Sequence, residues 1–235
     1  MPPLVLVTGA SQGIGAAVAR AFAEAEPGAR LALVARSAEN LARTAEACRA
    51  LGAEAEAFVC DVTDEAAVQA MAGAVAERFG VPDVLVVNAG AFEPGSVLEM
   101  TAASFRAQLD ANLTSAFLTT QAFLGAMTAR KRGHVFYMGS VASIRAYPGG
   151  AAYCAAKHGL LGLARVVREE TKALGLRVTT LLPGATRTPS WDGTDAPDDR
   201  FMPPEDLART VVDVWRLSER TVVEELLLRP QLGDL

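Results

Sequence analysis

The sequence has few of the residues that bind metal ions or form covalent cross-links. Its 235 residues include only two histidines and three cysteines, and Cys48, Cys60 and Cys154 lie far apart without a Cys-x-x-Cys pair. Structural zinc sites and disulfide frameworks both need such residues in clusters or at regular spacings. We therefore expect no metal site and no disulfide framework in this chain.

Long apolar runs and an excess of basic charge are also absent. No run of about 18 apolar residues occurs, which argues against a transmembrane helix. The first residues, MPPLVLVTGAS, lack the basic segment and the cleavage site of a secretory leader. The net charge of −5 gives no positive field for nucleic acid or anionic lipid. The sequence predicts a soluble, cytoplasmic protein that binds neither nucleic acid nor membranes.

Strand-like apolar runs alternate with amphipathic helical patterns along the whole chain. The strand-like runs are residues 4–8, 31–35, 57–61, 84–88, 134–138, 177–182 and 222–228. The helical patterns are residues 13–26, 38–51, 64–79, 101–129, 151–174 and 204–217. This alternation is typical of βαβ units and a parallel sheet. It predicts one α/β domain over residues 1–235, with a doubly wound, Rossmann-like sheet of about seven strands and helices on both faces.

Residues 184–203 form the least regular stretch, GATRTPSWDGTDAPDDRFMP, which is rich in Gly, Pro and Asp. No flexible linker, low-complexity tract or internal repeat divides the chain elsewhere. Irregular loops on a domain often close over ligands. We expect a mobile substrate loop here and not a domain boundary.

The first strand leads through TGASQGIG straight into the first helix. Gly9 permits a sharp turn, Gly13 lets the backbone approach a pyrophosphate, and Gly15 lets the helix pack closely on the strand. The N-terminus of the helix offers free N–H groups to phosphates. The residues between these glycines are Ala10, Ser11, Gln12 and Ile14. The pattern indicates a dinucleotide site, with three turn glycines and no ligand as the alternative.

Arg36 bears on which dinucleotide is bound. NAD-binding domains carry an acidic residue after the second strand, where it accepts hydrogen bonds from the ribose 2′-hydroxyl. This chain has no acid there and places Arg36 and Ser37 instead. A guanidinium suits a phosphate dianion, so we favour NADP(H), with NAD(H) as the alternative. Ser11 is a second donor for the 2′-phosphate, whereas an ordinary solvated arginine remains the competing interpretation of Arg36.

The segment GSVASIRAYPGGAAYCAAKHG, residues 139–159, carries the candidate reactive groups. Tyr153 precedes Lys157 by four residues, which places both side chains on one face of a helix. A nearby ammonium stabilises a phenolate and lowers the pKa of the tyrosine, so that proton exchange with an alcohol becomes feasible. Ser140 follows a strand, where open α/β sheets bind their ligands. Taken alone, such a pair is commonly a packed tyrosine and a solvated lysine.

These motifs together resemble the short-chain dehydrogenase/reductase family over nearly the whole chain. The resemblance rests on the glycine-rich turn, Ser140, Tyr153 and Lys157, and on further matching positions after successive strands. Those further positions are Asp61, Asn88-Ala89-Gly90, Asn112, Pro183-Gly184 and Thr188. Cys154, Ala156 and Ser143 differ from residues that are common in relatives, but none of these differences removes a catalytic atom.

The resemblance implies roles for individual residues. Tyr153 would be the general acid/base, Lys157 would hold the nicotinamide ribose and tune Tyr153, Ser140 would orient the carbonyl, and Asn112 would hold a water in a proton relay. The implied cofactor-binding residues are Gly9, Ser11, Gln12, Gly13, Ile14, Gly15, Arg36, Asp61, Val62, Asn88, Ala89, Gly90, Tyr153, Lys157, Pro183, Gly184, Thr186 and Thr188.

The implied activity is hydride transfer between NADP(H) and the carbonyl or alcohol carbon of a small substrate. The alternative is a catalytically silent dinucleotide-binding sensor or regulator with the same fold. The resemblance also implies a homodimer or homotetramer. It places substrate among residues 91–98, 141–150 and 185–202, with Phe92, Ile144, Tyr147 and Trp191 as apolar surface. Arg145 and Arg187 are the candidate partners for a substrate carboxylate, each with an ordinary surface role as its alternative.

Overall fold

The computed structural model describes residues 2–234 and contains one parallel sheet with strand order β3-β2-β1-β4-β5-β6-β7. The strands are β1 (Leu4–Thr8), β2 (Arg30–Ala35), β3 (Glu54–Val59), β4 (Val84–Val87), β5 (Gly133–Met138), β6 (Leu176–Pro183) and β7 (Glu225–Leu228). Every neighbouring pair is parallel. The predicted doubly wound sheet of about seven strands is confirmed.

Within the described residues, seven α-helices connect the strands. They are α1 (Gly13–Ala25), α2 (Ala38–Ala50), α3 (Glu65–Arg78), α4 (Ala102–Leu109), α5 (Ser115–Ala129), α6 (Ala151–Thr171) and α7 (Pro204–Trp215). Asp64 caps α3 by accepting a hydrogen bond from the backbone N–H of Ala67. Among the described residues, no helix is long and apolar enough to cross a membrane.

The strands alternate their side chains between two cores, one on each face of the sheet. In β1, Val5 and Val7 pack with residues of α1, α2 and α7, whereas Leu4 and Leu6 pack with α3, α5 and α6. All five residues of β1 are buried. Burial on both faces explains why the central strands are continuous apolar runs.

The third strand begins earlier than the sequence predicted. The prediction was residues 57–61, whereas β3 is Glu54–Val59. β3 lies at the edge of the sheet, so its outer face stays in solvent and tolerates glutamates. Glu56 and Glu54 both bind Arg78 of α3. The last strand, by contrast, is shorter than predicted, because β7 pairs only along Thr180–Pro183 of β6.

The predicted helix at residues 101–129 contains an interruption. A π-helical turn at Asp110–Thr114 separates α4 from α5. The wider turn brings the Asn112 side chain to the loop after β4, where its Nδ2 donates to the carbonyl oxygen of Ala91 at 2.7 Å. Turns of this kind occur often at functional sites.

Strand order reverses direction between β1 and β4, which are neighbours in the sheet. The connections after β1 and after β4 leave toward opposite faces of the sheet. A crevice therefore opens at the carboxyl ends of these strands, where such sheets bind ligands. The turn Gly9–Gly15 follows β1, and Asn88 follows β4. The fold therefore places the two predicted nucleotide-binding segments at one crevice.

Candidate active site

The glycine-rich turn has a backbone that side chains would disrupt. Gly9 and Gly13 have φ angles of +68° and +54°, a region that residues with a Cβ rarely adopt. A Cβ on Gly15 would lie 2.6 Å from Nδ2 of Asn88. Gly15 thus permits close contact between the helix start and the strand ends, as the sequence predicted.

Asn88 and Thr8 tie the ends of β4 and β1 together. Asn88 Nδ2 donates to the carbonyl oxygen of Thr8 at 2.9 Å, and Thr8 Oγ1 accepts from the backbone N–H groups of Asn88 and Ala89 at 3.0 and 3.1 Å. These bonds fix the position of the glycine turn against the residues after β4. The sequence did not single out Thr8, whose role depends on which strands are neighbours.

A single cleft of about 860 Å³ runs along the carboxyl ends of the strands. All the predicted catalytic and cofactor-binding residues line it except Gly15, which lies behind the turn. The cleft also contains residues that were not predicted. These are Ala35, Ser37, Asn40, Cys60, Thr63, Ala111, Met138, Gly139 and Asp234, among others.

Arg36 and Asp61 lie at one end of the cleft, after β2 and β3. Arg36 is exposed, and Asp61 Oδ1 accepts hydrogen bonds from the backbone N–H and the hydroxyl of Thr63 at 3.0 and 2.8 Å. These bonds and, to a smaller extent, the charge of Arg36 hold the pKa of Asp61 below its usual value. This end of the cleft therefore presents a hydrogen-bonded carboxylate beside an exposed guanidinium.

Asn112 lies at the floor of the cleft and is almost fully buried. Its Nδ2 donates to the carbonyl oxygens of Ala91 and Gln108 at 2.7 and 3.0 Å, and its Oδ1 accepts from the N–H of Ala91 at 3.3 Å. These bonds and its burial exclude a solvated side chain at Asn112. The π-helical turn and the loop after β4 are joined through this one side chain.

Ser140 follows β5 and caps a short 3₁₀ turn, Val141–Ser143. Its Oγ accepts from the N–H of Ala142 at 3.1 Å, while Ser143 Oγ accepts from the N–H of Ser140 at 3.2 Å. Ser143, which replaces a glycine common in relatives, thus holds Ser140 in place. The nearby Ser140 hydroxyl also acts to lower the pKa of the Tyr153 phenol.

Tyr153 and Lys157 occupy successive turns of α6, and Lys157 Nζ lies 5.6 Å from the centroid of the Tyr153 ring. Lys157 is 4% exposed and donates from Nζ to the carbonyl oxygen of Met138 at 2.9 Å. Phe92 packs edge-on against Tyr153, with ring centroids 5.1 Å apart. Lys157 is therefore buried beside the half-buried Tyr153, and the interpretation of a packed tyrosine with a solvated lysine is excluded.

Burial is the main cause of the pKa shifts of Lys157 and Tyr153. It lowers the pKa of Lys157 to about 8 and raises the pKa of Tyr153 above that of free tyrosine. The sequence predicted a lowered pKa for Tyr153, so the direction is opposite in the protein alone. The cause is desolvation against Phe92 and the strand ends, which outweighs the effect of the Ser140 hydroxyl.

The other end of the cleft is lined by aromatic side chains. Phe92, Tyr147 and Trp191 contribute to it, whereas Ile144 lies outside the lining. Of the two candidate arginines, Arg145 lines the cleft. Arg187 lies outside it and binds Asp198 and Asp192 at 2.9 and 3.5 Å. The structure thus distinguishes Arg145 from Arg187, which were equal candidates in the sequence.

Comparisons with known proteins agree with this geometry. The family model described as short chain dehydrogenase matches residues 3–198. Sepiapterin reductase of Chlorobaculum tepidum is 37% identical over 243 aligned residues, which cover 100% of this chain and 99% of that protein.

Solved structures resemble the fold over its full length. An alcohol dehydrogenase from the archaeon Thermococcus sibiricus, complexed with 5-hydroxy-NADP, superposes with a TM-score of 0.90 and 32% identity, covering 98% of this chain and 97% of that chain. A metagenomic short-chain oxidoreductase in complex with NADP gives a TM-score of 0.85 and 36% identity, with 98% of each chain covered. The chain belongs to the short-chain dehydrogenase/reductase family of oxidoreductases.

Proposed function

We propose that this protein is an NADP(H)-dependent reductase of a small carbonyl compound, or the dehydrogenase for the corresponding alcohol. The observation that carries the proposal is the convergence of Asn112, Ser140, Tyr153 and Lys157 on one cleft that the glycine-rich turn also lines. A silent sensor would have no need for a buried lysine beside a tyrosine that lines the same cleft. We therefore favour turnover over the regulatory alternative.

The cleft residues fit the parts of NADP(H). The turn Gly9–Gly15 would cradle the pyrophosphate, and Arg36 and Ser11, which both line the cleft, would donate hydrogen bonds to a 2′-phosphate. Asp61 and Val62 would contact adenine, and Asn88, Ala89 and Gly90 would line the ribose side. Pro183, Gly184, Thr186 and Thr188 would hold the nicotinamide end. The dinucleotide, when bound, supplies or accepts the hydride.

The side chains on α6 and after β5 would then handle the proton and the substrate oxygen. Ser140, held by Ser143 and Ala142, is placed to donate a hydrogen bond to a carbonyl oxygen. Tyr153 would give its phenolic proton to the developing alkoxide. Lys157 would orient the nicotinamide ribose through its ammonium and stabilise the phenolate left behind.

The direct test is a panel of ketones, aldehydes and hydroxy acids with NADPH or NADP⁺, followed at the nicotinamide absorbance. Sepiapterin belongs in the panel because a relative of 37% identity carries its name. Turnover of any member would support the proposal. NADPH binding by calorimetry without turnover of any compound would favour the silent sensor.

Arg36→Ala tests the choice of cofactor. The variant is expected to bind NADPH more weakly by about 1–3 kcal/mol, because a charged hydrogen bond to the 2′-phosphate is lost. NADH binding should hardly change, since NADH lacks that phosphate. Equal losses for both dinucleotides, measured by fluorescence titration, would show that Arg36 does not contact the 2′-phosphate.

We also propose that the chain works as one cytoplasmic domain, with residues 184–203 as its substrate loop. The base of this loop is held by hydrogen bonds between Met202 N and Ala185 O at 3.0 Å and between Arg187 N and Met202 O at 2.9 Å. Trp191 and Phe201 pack edge-on inside it, with ring centroids 5.1 Å apart. Movement would then occur as a unit about this base.

A homodimer, or a tetramer built from two dimers, is expected in solution. The outer faces of α4, α5 and α6 expose Phe105, Phe117 and Val166 at 36%, 45% and 52%. Apolar side chains at these positions favour helix pairing across a two-fold axis. Light scattering at micromolar concentration checks this, and a mass equal to one chain would refute it.

A further inference from the structure

The charged side chains that line the cleft within residues 2–234 are Arg36, Asp61, Arg145, Lys157 and Asp234. Arg36 and Asp61 lie together at the end assigned to adenosine. Lys157 donates to the carbonyl oxygen of Met138, and Asp234 binds Arg229 at 2.8 Å. Arg145 is thus the one charged group at the substrate end to which no role has been given.

Within residues 2–234, Arg145 has no partner for its charge. No carboxylate of the described residues lies within 4.0 Å of its guanidinium, which donates no hydrogen bond to them, although other arginines of the chain form many ion pairs. Arg187, the other candidate, is satisfied by Asp192 and Asp198. A guanidinium left free in a cleft is available to bind an anion.

The backbone at Arg145 is held on the same segment as Ser140. The N–H groups of Ile144 and Arg145 both donate to the carbonyl oxygen of Val141, at 3.1 and 2.9 Å. The 3₁₀ turn capped by Ser140 therefore continues directly into Arg145. One short rigid segment carries both the proposed carbonyl-orienting hydroxyl and the free guanidinium.

Aromatic side chains line the cleft from Tyr153 toward Arg145. The Tyr153 ring contacts Phe92, and Phe92 contacts Tyr147 with ring centroids 6.4 Å apart, both edge-on. Tyr147 follows Arg145 by two residues, and Trp191 of the substrate loop also lines the cleft. A substrate that reaches from Tyr153 toward Arg145 would lie along aromatic rings.

We infer that the substrate is a carbonyl compound with an aromatic or extended apolar body and one anionic group, which Arg145 binds. This inference rests on the proposed reductase function and specifies its substrate class. The carbonyl lies at Ser140 and Tyr153, the body packs on Phe92 and Tyr147, and the carboxylate accepts hydrogen bonds from the guanidinium. Arg145 is accordingly a specificity residue that does not touch the reacting atoms.

Arg145→Gln tests this with two matched compounds, 4-acetylbenzoate and its uncharged methyl ester, in which the ring separates the ketone from the carboxyl group. In the native enzyme with NADPH, kcat/KM should be higher for the anion than for the ester. The variant should lower kcat/KM for the anion by about 10- to 100-fold, through a higher KM, because a charge-assisted bond is lost. The ester should be reduced equally by both enzymes. Arg209→Gln, on the exposed face of α7, is the matched control and should change neither substrate.

The binding of phenylacetate to the NADP⁺ complex, measured by calorimetry, gives a second readout that needs no turnover. Arg145→Gln should weaken it by a similar factor, and added salt should weaken it in the native enzyme alone. Equal effects of the variant on anion and ester, or unchanged phenylacetate binding, would overturn the inference while leaving the reductase function in place. If neither compound is reduced, the proposed function fails on these compounds, and the calorimetry still decides whether Arg145 binds the anion.

Discussion

Tyr153→Phe is expected to lower turnover by at least about 10²-fold and as much as about 10⁴-fold, the range typical of a lost general acid/base. The change removes one oxygen and keeps the ring that packs on Phe92 at 5.1 Å. The glycine-rich turn is untouched, so NADPH affinity should hardly change. Steady-state kinetics and a fluorescence titration of NADPH measure the two quantities.

Tyr137→Phe is the matched control for this variant. Tyr137 is fully buried in the core, where its hydroxyl lies 2.8 Å from Thr120 Oγ1, and it takes no part in lining the cleft. Loss of this hydroxyl should lower the free energy of unfolding by about 1 kcal/mol and leave kcat unchanged. A Tyr153→Phe enzyme with more than about a tenth of native turnover would mean that another group supplies the proton, since proton transfer of this kind contributes about 10²-fold or more.

The sequence predicted the sheet well because burial on both faces leaves a strong pattern. Strands β1, β2 and β4 are continuous apolar runs, and each is found within one residue of its predicted bounds. β3 is an edge strand in which Glu54 and Glu56 alternate with alanines, and a search for apolar runs places it too late. Edge strands lack the signal because half of their surface faces water.

The interruption of the long helix could not be predicted in the same way. α4, the π-helical turn and α5 have continuous helical backbone, with φ near −60° at the junction residues Leu109 and Thr114. One extra residue in a turn rotates the following side chains about the helix axis, but it does not change the amino-acid composition from which a helix is predicted. The reason for the turn is a contact made far along the chain, between Asn112 and Ala91.

The site was predictable where residue type and spacing carry the chemistry. The glycine turn, Ser140, Tyr153 and Lys157 meet in one cleft as expected. The ionic surroundings were not predictable, because they depend on partners distant in sequence. Arg187 and Arg145 look alike in the sequence, yet Arg187 is neutralised by its own loop, whereas Arg145 pairs with no carboxylate of residues 2–234. Asp234 reaches the cleft only because the chain returns to Gly184 after β7.

Lys157→Met is expected to stabilise the fold while it removes activity. The buried ammonium has its pKa lowered from 10.5 to about 8, so the folded state disfavours its charge. Removing that charge gains about 3 kcal/mol near neutral pH. The lost bond to the Met138 carbonyl costs about 1–2 kcal/mol, which leaves a net gain of about 1–2 kcal/mol in the free energy of unfolding.

The pH dependence of the free energy of unfolding distinguishes removal of the buried charge from ordinary repacking of the core. Below about pH 8 the native lysine is charged in both folded and unfolded states, and the full free-energy cost of burying its charge is present. As pH rises from 8 toward 10.5, the folded state loses its proton first, and the native protein gains stability relative to the variant. Urea unfolding at about pH 9.5 should therefore show the variant's advantage reduced by about 2 kcal/mol.

Turnover should fall by about 10²-fold or more in Lys157→Met, with weaker NADPH binding, since one ammonium serves both the phenolate and the nicotinamide ribose. Lys172→Met is the matched control, because Lys172 is half-exposed and paired only with Glu169. It should change neither turnover nor the gain in stability between pH 8 and pH 10.5, because its partner Glu169 titrates only at acidic pH. A Lys157→Met protein that unfolds more easily than the native one at neutral pH would mean that the bond to Met138 outweighs desolvation. A more stable but inactive variant would instead show that this lysine is kept for catalysis at the expense of the fold.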